Sequence, residues 1–208
     1  MENADSARFL QAVQPLLEEE TPLAGGIWHG VLLPNATLEQ LEVRQCTFDA
    51  CTFSGGSFAG ADFREVQFQN CDFSNTQFTD AFFARCHFTN CRCIGANFNG
   101  AVFRELHVRG TNFQYADFDR TRLTDVSMAE TDLTEATFSE AAIKRLTIRR
   151  CRFVKNSFFK TPLAGVDFSD CTFSAPVVSW PPAELKGATV SLTQAAGLAG
   201  LLGLHIKL

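Results

Sequence analysis

From Val43 to Val178 every fifth residue is apolar, without one insertion. A period of five is neither a helix nor a flat strand. At 3.6 residues per turn these side chains would be smeared around a helix, and a period of two would throw alternate ones to opposite faces. Of the 27 such positions from Val43 to Phe173, 18 are Phe, and the other nine are Leu, Ile, Val, Met128 or Cys93. The composition reflects this, with 21 Phe against one Tyr and two Trp: a single repeated environment selects Phe. Phe48, Phe53, Phe58, Phe63, Phe68, Phe73, Phe78, Phe83, Phe88, Phe98, Phe103, Phe113 and Phe118 are the expected core.

Two residues before each central position lies a second series that is small or apolar, running Cys46, Cys51, Gly56, Ala61, Val66, Cys71 and onward. Two inward positions in every five, with polar residues between them, describe a solenoid of short straight segments joined by turns. Twenty is the longer period. Every fourth small position gives Cys51, Cys71, Cys91, Thr111, Thr131, Cys151 and Cys171, all Cys or Thr, and each of the other three sets keeps its own side-chain size. Where that size grows to Leu106, Val126 and Leu146, the central residue shrinks to Val108, Met128 and Ile148, as close packing at constant volume demands. The coil is therefore four-sided. Residues 43–175 make between six and seven coils, a rod about 30 Å long at the usual strand spacing.

The tandem units ADFRE, CDFSN, ANFNG and ADFDR resemble the pentapeptide-repeat family, whose consensus is a small residue, Asp or Asn, Leu or Phe, and two variable residues. The resemblance covers roughly residues 31–175 and implies an all-β solenoid, a right-handed quadrilateral β-helix. Three regions are expected: an N-terminal helical cap over 1–30, the β-helix over 31–178 and a C-terminal capping and dimerisation module over 179–208. A coil end carries unpaired backbone and bare Phe, so caps are needed. Phe9, Leu10, Val13, Leu16 and Leu17 have helical spacing behind Asp5 and Ser6, with Pro15 expected to shorten or kink the helix. At the other end the register is lost in SAPVVSWPPAEL, Ser191 and Gln194 have capping-box spacing, a helix closes near Gly203 and LHIKL reads as a strand. The run VSLTQAAGLAGLLGLHIKL resembles the terminal module of family members that protect DNA gyrase from quinolones or peptide antibiotics, where it joins two subunits tail to tail. That resemblance implies a homodimer through Leu198, Leu201, Leu202, Ile206 and Leu208; a monomer with a fully packed cap is the alternative.

No catalytic, metal or cofactor site is expected. All eight Cys fall on inward positions and read as reduced packing residues. The cluster Cys86, His87, Cys91 and Cys93 fails as a zinc site, since His87 is outward while its neighbours point inward. Cys51, Cys71 and Cys91 stack on successive coils, as do Cys151 and Cys171, at a spacing that permits artefactual oxidation. His87 and His107 are stacked outward neighbours, read as solvated surface. There is no nucleophile with its base and no Gly-rich phosphate loop. The N-terminus lacks a basic region followed by an apolar one, and no stretch approaches the ~20 apolar residues of a membrane span. A cytoplasmic protein without a membrane partner is expected.

The net charge of −5 argues against direct nucleic-acid binding. From Cys46 to Ser174 there are 15 acidic and 14 basic residues, so the rod itself is nearly neutral. Its charges are banded, with seven acids between 117 and 140 and seven bases with no acid between 141 and 166. The twenty-residue period predicts five pairs between adjacent coils: Asp125 with Arg145, Glu130 with Arg150, Asp132 with Arg152, Glu135 with Lys155 and Glu140 with Lys160, each worth about 0.2–1 kcal/mol. What remains for a partner is Asp80, Asp117, Asp119 and Glu140, together with outward Phe82 and Val102. By the resemblance the partner is DNA gyrase or topoisomerase IV, bound by a rod that mimics duplex DNA and so modulates sensitivity to topoisomerase-targeting antibiotics. The alternative is a general protein-interaction scaffold or effector with no topoisomerase role, which the charge map favours.

Overall fold

A five-residue segment with two inward side chains stacks well only on a copy of itself. In the computed structural model, which describes residues 4–206, such segments lie over those twenty residues further on. Val43 is paired with Phe63, Phe63 with Phe83, Phe83 with Phe103 and Phe103 with Leu123, always in parallel. The chain is a parallel β-solenoid of about eight coils, about 38 Å long at the usual spacing. Through most of the rod two adjacent sides carry the strands, some of which run on around a corner, as in Glu42–Asp49 and Arg122–Ala129, and a third side gains the pair Arg152–Val154 with Thr172–Ser174 near the C-terminal end. Elsewhere the other two sides are held by single bridges such as Thr52 to Asp72 and Ser57 to Gln77.

The corners share one backbone conformation. Every fifth residue from Glu20 to Ala175, with the exception of Asp170, has a left-handed φ. Gly occupies some of these corners at no cost, but most carry a side chain and are strained by roughly 1–2 kcal/mol each. Stacked corners repeat that strain, and the unbroken hydrogen-bonded columns between coils offset it.

Inside, Phe58, Phe78, Phe98, Phe118, Phe138 and Phe158 form one ladder of near-parallel rings with centroids 4.9–5.5 Å apart. Neighbouring sides meet edge to face, as where Phe68 meets Phe73 at 5.3 Å and 90°. Both geometries suit aromatic quadrupoles. In one column Cys93, fully buried, takes the central position between Phe73 and Phe113.

The ends correct the sequence reading in four places. The coil reaches into the segment expected to be only a cap, since Leu23–His29 pairs in parallel with Val43–Asp49. Helix α1, Ala4–Glu19, continues through Pro15. At the far end the bridge from Ser157 to Val177 keeps the register, and the chain then makes one irregular coil that bonds Asp167 to Thr189. There Lys160 N–H donates to the carboxylate of buried Glu184 at 2.9 Å, which stands in for the backbone rung of a regular coil. Helix α2, Leu192–Ala199, follows and ends in a single 3-10 turn, with Gly203 left-handed. Leu204 to Ile206 form no strand, and Lys207 and Leu208 lie outside the described residues.

Candidate functional site

Asp117, Asp119 and Glu140 lie on the side of the rod that contains Phe58, in successive coils, and Asp80 is a corner of the same side. The outward column beside them runs Ser57, Gln77, Asn97, Asp117, Thr137, Ser157, Val177 in unbroken register. These carboxylates already have partners. Asp117 accepts from the backbone N–H of Asp119 at 2.7 Å and from the Thr137 hydroxyl at 3.3 Å. Asp119 accepts from the N–H of Ser139 at 2.7 Å. Glu140 pairs with Lys160 at 2.8 Å, and that hydrogen-bonded ammonium holds its carboxyl below the usual range. Asp80 is exposed. Arg120 and Lys160 occupy the same corner column as Asp80 and Glu140, so the side alternates in sign.

The first of these bonds is a rule of the repeat. Asp72, Asn97, Asn112, Asp117, Asp132 and Asp167 each accept from the N–H two residues later, at 2.7–2.9 Å. Asp or Asn at this position locks the segment locally, a role that reading Asp117 as a free surface acid missed. It also corrects one predicted ion pair. Asp132 is engaged by Thr134 and by Gln114 Nε2 at 2.8 Å, Arg152 donates to Thr134 at 3.1 Å, and the two form no ion pair.

The other four pairs join corner residues, whose side chains stack directly. Arg145 Nη2 lies 2.6 Å from Asp125, Arg150 lies 2.5 Å from Glu130 and Lys155 lies 3.5 Å from Glu135, in addition to Glu140 with Lys160. Arg85 with Glu65 at 2.7 Å is a further pair of the same kind. All are exposed, so each contributes at most about 1 kcal/mol.

On the adjoining side, Phe82 and Val102 are stacked and half-buried. The Arg64 and Arg104 guanidinium groups lie over Phe82 at 5.2 and 5.5 Å, so the ring is held in a cationic frame rather than bare. Sequence reasoning missed a second apolar group. Phe159, Val177 and Trp180 are 42%, 56% and 74% exposed at the C-terminal end of the side that carries Asp117. The signal was present for Phe159, an outward aromatic beside a central Phe, just as Phe82 is.

His87 and His107 stack with centroids 4.9 Å apart, and burial followed by repulsion from His107 lowers the pKa of His87. Cys86, Cys91 and Cys93 are buried while His87 points outward. No group of three or more potential metal ligands occurs among the described residues. Among the described residues no helix is long and apolar enough to cross a membrane.

The C-terminal module is seated by Gln194. Its Nε2 donates to the carbonyls of Phe168 at 2.9 Å and Cys171 at 2.7 Å, while its Oε1 accepts from Ser191 N–H in a capping box. Leu198 packs on the core, Leu201 is half-buried, and Leu192, Leu202, Leu204 and Ile206 are more than half exposed.

Models of pentapeptide repeats match residues 44–80 and of a pentapeptide repeat region residues 81–159, together more than half of the sequence. The chain belongs to the pentapeptide-repeat family. Among solved pentapeptide-repeat structures, a trypsin-treated form of QnrB1, a plasmid-mediated fluoroquinolone resistance protein, is similar at a TM-score of 0.54 and 19% identity. That match covers 89% of this chain and 93% of that one. HetL, involved in heterocyst differentiation regulation in the cyanobacterium Nostoc sp. strain PCC 7120, matches at a TM-score of 0.40 and 13% identity, over 83% and 91%. No curated protein sequence matches the chain. At these identities the likeness is one of fold.

Proposed function

We propose that this pentapeptide-repeat protein performs no chemistry and works as a rod that binds a protein partner along its sides. The partner proposed is DNA gyrase or topoisomerase IV, bound in place of duplex DNA, so that the rod modulates the action of topoisomerase-targeting antibiotics. The observation that carries this reading is the side from Ser57 to Val177, an unbroken flat register that bears Asp80, Asp117, Asp119 and Glu140. A regular solenoid side of this kind offers area and charge rather than a closed pocket with converging polar groups. The dimer expected through α2 and the following leucines would double the length of the rod.

A second reading has its own support. Asp117, Asp119 and Glu140 are engaged within the chain, and Arg120 and Lys160 interrupt the acidic column. A general interaction scaffold or effector tolerates such a mixed surface better than a DNA mimic does. Gyrase supercoiling titrated with the pure protein, with and without a fluoroquinolone, separates the two. Inhibition, or rescue from the drug, at low micromolar protein is the expected result, and no effect at tens of micromolar moves the assignment to the scaffold. Asp117→Asn with Asp119→Asn keeps the Oδ1 acceptors while removing two charges, so a weakened effect in a folded variant reports the charge itself.

A further inference from the structure

Seven of the eight cysteines are buried, and Cys171 alone is half-exposed. Its surroundings differ from the rest of the repeat in three ways. In the regular stack the thiols of Cys46, Cys51, Cys71, Cys86, Cys91 and Cys151 each donate to a carbonyl 23 residues earlier. Cys171 makes no such bond to the coil beneath. The corner before it, Asp170, is the one that abandons the left-handed conformation kept from Glu20 to Ala175. Finally, Cys171 lines an open cleft with Phe173, Ser191, Gln194 and Leu198, between the last regular coil and α2.

Register fixes the distance. Arg152 is paired with Thr172, and Thr172 N–H donates to the Cys151 carbonyl at 2.9 Å. Cys151 and Cys171 therefore sit one coil apart, about 4.8 Å, inside the range of roughly 4.4–6.8 Å between Cα atoms that a disulfide spans. Cys51, Cys71 and Cys91 share that spacing, but they are 1–3% exposed and each follows a regular left-handed corner. Of these stacked thiols a solute reaches only Cys171, with Cys151 buried directly beneath it.

We propose that Cys151 and Cys171 form a reversible disulfide, a redox modification site beneath the seat of the C-terminal helix. The oxidant is a hydroperoxide. The accessible Cys171 sulfur attacks the peroxide oxygen, the O–O bond breaks, and the leaving oxygen departs as water or an alcohol. The resulting sulfenic acid is then attacked by the Cys151 sulfur, the S–O bond breaks, and the second oxygen leaves as water carrying the remaining thiol proton. In sum, two thiols are oxidised by two electrons and one peroxide is reduced, and a dithiol reverses the change by exchange. Because Gln194 is bonded to the Cys171 carbonyl, the link would tie the helix seat covalently to the coil below. None of this depends on which protein binds the rod.

The test uses the full chain, treated with hydrogen peroxide at about one equivalent, denatured with alkylation and mapped without reduction. The expected result is a Cys151–Cys171 linked peptide lacking two hydrogens, a thiol count lowered by two, alkylated Cys51, Cys71 and Cys91, and full recovery with dithiothreitol. In Cys151→Ser, where folding is checked by circular dichroism, the sulfenic acid on Cys171 should become trappable by dimedone. The inference is overturned if both thiols stay reduced, if the buried cysteines link to the same extent, or if Cys171 links only to a second chain.

Discussion

At the scale of single residues, the repeat pairs most of its inward polar side chains with a carbonyl. Thr76 does so, donating to the Phe53 carbonyl at 2.9 Å. In the same column, Asn156 donates from Nδ2 to the carbonyls of Leu133 and Ala136, but its Oδ1 is buried with no partner. An orphaned buried acceptor costs about 1–3 kcal/mol, and a net hydrogen bond contributes about 1 kcal/mol. Asn156→Thr removes the orphan and keeps one donor aimed as Thr76 is, so it should raise the stability by about 1 kcal/mol. A higher thermal midpoint checks this, and a lower one shows that the two amide bonds outweigh the orphan.

Elements at the two ends show what a cap must do here. Helix α1 inserts Phe9 into the open end of the ladder, where it meets Trp28 at 5.0 Å and Phe48 and Phe53 at 5.9 Å. Ser6 latches the helix to the first coil, accepting from Leu32 N–H at 2.8 Å and donating to the Leu32 carbonyl at 3.1 Å. Phe9→Ala empties a site the size of a ring, which costs about 3–5 kcal/mol where the surroundings cannot collapse. α1 should then become the first site of limited proteolysis, and resistance equal to the wild type would show that Ser6 and Val13 hold it unaided. The helix was legible from Phe9, Val13 and Leu16, because its apolar residues are spaced at 3.6. The strand beneath it was not, although Leu23, Trp28, Leu33 and Leu38 continue the five-residue register backwards. Trp in place of Phe and the pair Gly25 and Gly26 hid that continuation. Side-chain sizes repeating at twenty revealed the four-sided coil, since volume must match between stacked layers. The turn-locking role of Asp117 stayed hidden, because an outward Asp looks the same in sequence whether it meets a backbone N–H or water.

For the whole molecule, the C-terminal leucines decide how the rod is assembled. The cap is complete without several of them: Gln194 satisfies the carbonyls of Phe168 and Cys171, and Leu198 covers the core. Leu192, Leu202, Leu204 and Ile206 remain 51–88% exposed on one short module, and apolar groups gathered in this way mark an interaction surface. A second copy of the same module presents the same leucines, and a self-complementary two-fold contact is the commonest way to bury them. Sedimentation of the full chain should therefore give the mass of two chains, with a thermal midpoint that rises with concentration, as mass action requires. Leu202→Asp with Ile206→Asp should give one chain and a midpoint independent of concentration, with the coil still folded. A wild-type chain that stays single at every concentration would assign these leucines to a different protein, and the rod would then present its sides from one coil stack rather than two.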